Sequence, residues 1–135
     1  MRRVLLIDQD RLSAQALTAA SLQEGLASRA VETLCEGVRY LLEAPVSLVL
    51  VDAGLIHLSP AEQARLFDAV APEVPVVILV KPNAPLEEHV RFEVEGFHVV
   101  AKPVDMADLL IKMAGEAPVA PARAGAAGWV RSLCG

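Results

Sequence analysis

The chain has 135 residues, a formal net charge of -5 and a pI near 5.1, and 54% of its residues are hydrophobic but only 4% aromatic. A domain of this length buries roughly two-thirds of its unfolded surface without metals or disulfides, so one aliphatic core should suffice. The acidic balance, with twelve scattered Lys and Arg, argues against a nucleic-acid binder, whose affinity rests on clustered basic residues. The two cysteines, Cys35 and Cys134, are far apart and lack CxxC spacing, which argues against a zinc site or disulfide framework and for a reducing compartment.

In chain order, short aliphatic runs alternate with stretches whose apolar residues fall three or four apart, the pattern of βα repetition. After Arg2-Arg3, residues 4–7 form a first strand of only four apolar residues before Asp8, too short for a secretory signal. No later run approaches the ~18 apolar residues of a membrane span, so a cytoplasmic location is expected. A helix is predicted over about 12–24, then a weaker strand near 28–31, assigned mainly by position. The next helix covers 35–43, with Cys35 as a small buried hydrophobe. A third strand, 48–51, stops at Asp52, and Ser59-Pro60-Ala61-Glu62 reads as the capped start of a helix over 60–70.

The fourth strand, 76–80, precedes a helix over 86–95 ended by Gly96. Leu86 and Val90, and Val94 with them, are expected to point inward on that helix, which leaves Phe92 either turned partly outward as a contact or in the core. The fifth strand, 99–101, stops at Lys102-Pro103, and a last helix covers 105–115. Residues 1–114 thus read as one domain. Residues 115–135 read as an Ala/Pro/Gly-rich linker or tail carrying the chain's one tryptophan, Trp129.

Strands that are continuously apolar are covered on both faces. Five of them alternating with five helices predict a flavodoxin-like, three-layer α/β/α fold with a parallel sheet of order 2-1-3-4-5. Sites in such sheets lie at the carboxyl ends of strands, where Asp8, Asp52 and Lys102 stand. A carboxylate on the middle strand, flanked by a second carboxylate and an ammonium, suits phosphoryl acceptance, because Mg²⁺ and Lys spread charge developing on the transferred oxygens. Asp52 is the expected acceptor and Lys102 the phosphate counter-ion.

At these residues the chain resembles the response-regulator receiver family in its CheY-like form, over about residues 3–114. The resemblance is carried by Leu-Ile-Asp8-Gln-Asp10, Leu-Val-Asp52, Pro75-Val-Val-Ile-Leu-Val80 and Ala-Lys102-Pro103. It implies Mg²⁺ held by Asp8, Asp52 and the backbone of Gly54, with Asp10 a further candidate, and phosphorylation of Asp52 by a histidine kinase or phosphotransfer protein. It also implies an output protein or domain as partner, homodimers through the fourth and fifth helices, and a cis bond before Pro103.

Several positions depart from the family pattern. Gln9 stands where a second metal-binding acid is usual, and neutral Gln is a poorer Mg²⁺ ligand. Val80 replaces a Thr or Ser and has no hydroxyl for a phosphoryl oxygen. Val99 matches the fifth-strand aromatic, with His98 beside it as a substitute. The losses fall on the metal and the switch while the fold-bearing runs are intact, so the expectation is an atypical or pseudo-receiver that binds partners in one conformation, not an enzyme. A working phospho-acceptor on Asp52 is the alternative.

Plainer readings apply to some residues. Asp10 is suited to cap the following helix, and His57, His89 and His98 lack ligand spacing. A rival reading takes Asp8-Gln9-Asp10 as the DxD of a small phosphatase, with Asp8 as nucleophile and Asp10 as acid. It lacks a later acidic pair for the metal, and a bare DxD is a weak motif.

Overall fold

Aliphatic runs with no polar interruption can only settle where both faces are covered, and the chain places them accordingly. The computed structural model describes residues 2–55 and 57–114. It contains β1 (Arg3–Ile7), α1 (Arg11–Glu24), β2 (Ala27–Val31), α2 (Leu34–Glu43), β3 (Leu48–Asp52), a 3-10 turn (Ala53–Leu55), α3 (Pro60–Val70), β4 (Val76–Val80), α4 (Leu86–Glu93), β5 (His98–Ala101) and α5 (Met106–Ala114). All strand pairs are parallel and the order is β2-β1-β3-β4-β5, the flavodoxin-like topology expected from the sequence.

Alternation along each strand divides the core in two. Leu5, Ile7, Val49, Val51, Val76, Ile78 and Val80 face one layer, covered by α2, α3 and α4. Val4, Leu6, Leu48, Leu50, Val77 and Leu79 face the other, where Leu17 and Ala20 of α1 meet Met106, Leu109, Leu110 and Met113 of α5. β1, β3 and β4 lie between paired neighbours and are almost wholly buried. β2 is an edge strand with exposed Arg29 and Ala30, which is why its sequence signal is faint.

Local chemistry sets the helix ends. Asp10 caps α1 by accepting from the Leu12 N–H, and Gly25 closes it at φ 67, a left-handed conformation that glycine adopts without a Cβ penalty. Ser59 and Glu62 form the expected capping box of α3, with Pro60 in its first turn. At Gly37 of α2 an added Cβ would lie 2.7 Å from Ile7 Cγ1, so the missing side chain lets α2 approach β1.

Three sequence expectations fail here, and the choice left open for Phe92 falls to the core. Leu86 and Val94 are 76% and 75% exposed and Val90 is 48% exposed, whereas Phe92 is 5% exposed. On a helix Phe92 lies about 200° from Val90, so only one of the two faces can turn inward. The ring wins because it packs edge-on against Phe97, with centroids 5.9 Å apart, and Phe97 in turn meets Phe67 at 6.2 Å. α4 also ends at Glu93, earlier than expected, with Gly96 at φ 95 in the turn that follows. Cys35 is half-buried near the start of α2 rather than enclosed in the core. The expectations for residues 115–135, including Trp129 and Cys134, lie outside the described residues.

Candidate functional site at the carboxyl ends of the strands

Each principal side chain of the site is held by a strand end. Asp8 directly follows β1, and its N–H donates to the Val31 carbonyl at 3.0 Å. That bond prolongs the β1–β2 ladder by one residue and fixes a carboxylate that is 3% exposed. Asp52 is the last residue of β3, in register with Leu79. Lys102 follows β5; its N–H donates to the Val80 carbonyl at 2.9 Å, and the Lys102–Pro103 bond is cis.

These three ends converge. The Lys102 ammonium lies 2.8 Å from Asp8 Oδ2 and 3.0 Å from Asp52 Oδ1, and 4.0 Å from Asp10 Oδ2. Asp8 Oδ2 is buried, and the ammonium 2.8 Å away is what answers its charge. Partial burial by itself would push the Lys102 pKa down. Hydrogen bonding and Coulombic attraction from Asp8 and Asp52 outweigh that, and hold it above the ordinary lysine value. The bridge therefore persists across neutral pH. Two carboxylates and one ammonium leave the centre a net negative charge, suited to a cation.

Asp10 has a separate occupation. Its carboxylate accepts from the Ser13 hydroxyl at 2.9 Å and the Leu12 N–H at 3.0 Å, as a cap of α1. These bonds, the Ser13 one first, hold its pKa below the usual carboxylate value. The Asp10 N–H in turn donates to Asp8 Oδ1 at 3.0 Å, so the cap also steadies Asp8. Ser13 was not singled out in the sequence, although a Ser three residues after a capping Asp is a readable signal. Gln9 is exposed. In the 3-10 turn the Gly54 N–H donates to Asp52 Oδ2 at 3.2 Å, and a Cβ on Gly54 would lie 3.1 Å from that oxygen.

At the switch positions, Val80 is 1% exposed at the end of β4. Val99 is half-buried in register with Ile78, and His98 is exposed. His57 is exposed and His89 half-buried. No group of three or more His, Cys, Asp or Glu is arranged to hold a metal among the described residues. Mg²⁺ is, however, commonly held by one or two carboxylates with water completing the octahedron. The Asp8 and Asp52 carboxylates, which converge on one ammonium, fit such a two-carboxylate site. Neutral Gln9 and the committed Asp10 leave it short of a third acid.

No family model matches the chain, and no curated protein matches its sequence. Solved structures do match. A CheY-like receiver domain protein from Methanospirillum hungatei is 23% identical, with a TM-score of 0.71 over 85% of this chain and 92% of that one. The receiver domain of a sensor histidine kinase from Pseudomonas aeruginosa, with magnesium coordinated in its active-site cleft, is 20% identical, with a TM-score of 0.68 over 85% of this chain and 96% of that one. The beryllofluoride-activated receiver domain dimer of NtrC4 is 18% identical, with a TM-score of 0.74 over 86% of this chain and 96% of that one. The chain thus has the fold of response-regulator receiver domains in its CheY-like form. Among the described residues no helix is long and apolar enough to cross a membrane.

Proposed function

We propose that the chain is a receiver-like module of two-component signalling that acts through protein–protein contact in one conformation, with phosphorylation of Asp52 weak or absent. The observation that carries this reading is Val80. It is enclosed at the end of β4, beside the Asp52 strand end, and offers no hydroxyl to couple a phosphoryl group on Asp52 to the β4–α4 side of the fold. The neutral, exposed Gln9 and the helix-capping Asp10 support it from the metal side. The partner is an output protein or domain. The surface offered to it includes the exposed stripe of α4 and Ile111 of α5, which is 60% exposed.

A working phospho-acceptor is the second reading, favoured by the convergence of Asp8, Asp52 and Lys102. In that case a histidine kinase or phosphotransfer protein would be the donor, Asp52 the acceptor and Lys102 the counter-ion of the phosphoryl oxygens. Asp8 and Asp52 would hold Mg²⁺, which when bound supplies positive charge to the transferred group. Homodimerisation through α4 and α5 belongs with this reading. A DxD phosphatase is less well supported, because the Asp10 carboxylate that would serve as acid is engaged by Ser13 and Leu12.

The test is intact-mass spectrometry after incubation with acetyl phosphate and Mg²⁺, with Asp52→Asn as control. The proposal expects no stable phosphoryl adduct on the wild-type chain. An adduct formed in good yield and lost in the control would establish the second reading.

A further inference from the structure

α4 presents an apolar face that the domain itself does not use. Leu86, Val90 and Val94 are spaced by four and fall along one stripe of the helix. They are 76%, 48% and 75% exposed, while Phe92 on the opposite side anchors the helix to the core. Glu87 and Glu93 flank the stripe, while Glu88 and Glu95 are half-buried toward the Phe92 side, and α4 as a whole carries three acids against Arg91 as its one basic residue.

We infer that the stripe is a docking site for this chain's own segment around Trp129, which covers α4 when no partner is bound. The inference rests on the proposal that this face is the contact surface, and adds what occupies it. Three features favour this occupant. The segment Trp129-Val-Arg-Ser-Leu133 supplies three large apolar side chains within five residues, one of them the chain's only tryptophan. Residues 115–135 carry Arg123 and Arg131 against a single acid, Glu116, so the segment brings positive charge to an acidic helix.

Reach is the third feature. α5 returns the chain from the carboxyl ends of the strands, as α4 does, so both helices finish at the same end of the sheet. The fourteen residues 115–128, rich in Ala, Pro and Gly, lie between α5 and Trp129. Fully extended they span up to about 50 Å, more than the roughly 35 Å diameter of a domain whose radius of gyration is about 13 Å. A Gly-rich random coil of fourteen residues has a typical end-to-end distance of about 20 Å. A tether of that length holds the segment at a millimolar effective concentration, so a small apolar contact is enough for docking.

A second copy of the chain fits less well. α4 is eight residues long, or about 12 Å. A stripe of three side chains falls short of the roughly 1,000 Å² that a stable interface needs. Two α4 faces brought together would also bring the Glu87 and Glu93 carboxylates of both copies into one contact. Covering by the tail makes the α4 face available to a partner only in competition with Trp129.

Trp129 fluorescence tests this directly, since no other residue contributes indole emission. In the full chain, the docked segment should emit to the blue of free N-acetyltryptophanamide and resist acrylamide quenching. Both properties should be independent of protein concentration. Leu86→Ser/Val94→Asp, two surface changes that leave Phe92 in place, should move emission to the red and restore quenching, with an unchanged circular dichroism spectrum confirming the fold. Solvent-like emission in the full chain would overturn the inference. So would protection that survives the double variant, or protection that appears only as concentration rises, the mark of a second copy. If Trp129 proves solvent-exposed while the same double variant still abolishes binding of an output partner, the docking inference fails and the proposed contact surface stands.

Discussion

Replacing Lys102 by Met keeps most of the side-chain volume but removes the ammonium between Asp8 and Asp52. Asp8, 3% exposed, would then face a second carboxylate with no counter-charge. Removing one partner of a fully buried pair costs roughly 3–5 kcal/mol. Lys102 and Asp52 are 20% and 22% exposed, so water screens part of this centre, and about 1.5–2.5 kcal/mol is the reasonable expectation. For a domain of this size that lowers Tm by roughly 5–12 °C. The deficit should shrink with acidification, because taking up a proton relieves the repulsion between two facing carboxylates that have lost their shared cation. The folded variant then binds the proton more readily than the unfolded chain, and gains stability as pH falls from 7 toward 4. Asp8→Asn should recover most of the loss when combined with Lys102→Met, because the stranded charge is gone. Urea unfolding of the four proteins at several pH values measures all of this. A Lys102→Met variant within 0.5 kcal/mol of wild type, with no narrowing at low pH, would refute the charge argument.

Other outcomes follow from the same structure. Millimolar Mg²⁺ should raise the Tm of Lys102→Met more than that of wild type, since the divalent cation replaces the lost ammonium between Asp8 and Asp52; equal responses in thermal melts would count against a two-carboxylate site. The Lys102 ammonium should titrate above about 10.4, the ordinary lysine value, when followed by side-chain NMR. A pKa raised by folding means that the bridge contributes fully below that value and loses its contribution as pH climbs through the folded pKa. Phe92→Ala should cost roughly 3–5 kcal/mol in urea unfolding by opening a cavity beside Phe97, whereas Leu86→Ala should stay within about 0.5 kcal/mol of wild type. Gly37→Ala should cost about 1–3 kcal/mol because its Cβ would press on Ile7.

The fold was legible in the sequence wherever burial is two-sided. β1, β3 and β4 are continuous aliphatic runs, and residues that must be apolar on both faces leave no ambiguity of period. β2 was readable only by its place in the alternation, because an edge strand tolerates Ser28, Arg29 and Ala30. α4 was readable as a helix but not as an orientation. It carries an aliphatic stripe on one side and a single phenylalanine on the other, and only the three-ring cluster with Phe67 and Phe97 decides between them. Phe67 is distant in sequence from the other two, so nothing local announces the cluster.

In the site, the convergence of Asp8, Asp52 and Lys102 could be foreseen because each follows a strand and the topology gathers strand ends. What could not be read is how the charges are shared. Whether Asp10 serves the helix or the cation centre depends on its rotamer, and the side chain turns to Ser13 and Leu12. Likewise Gln63, buried beneath the start of α3 with its amide N–H donated to the Leu58 carbonyl at 2.8 Å, looks in sequence like any surface glutamine.

The most direct test of a one-conformation module is an amide NMR titration with Mg²⁺ and then beryllofluoride, which mimics an aspartyl phosphate, using Asp52→Asn as control. The expected result is no change beyond the immediate surroundings of Asp8, Asp52 and Lys102. Shifts that travel through Val80 into β4 and α4, and disappear in the Asp52→Asn control, would contradict it and establish a working phosphorylation switch.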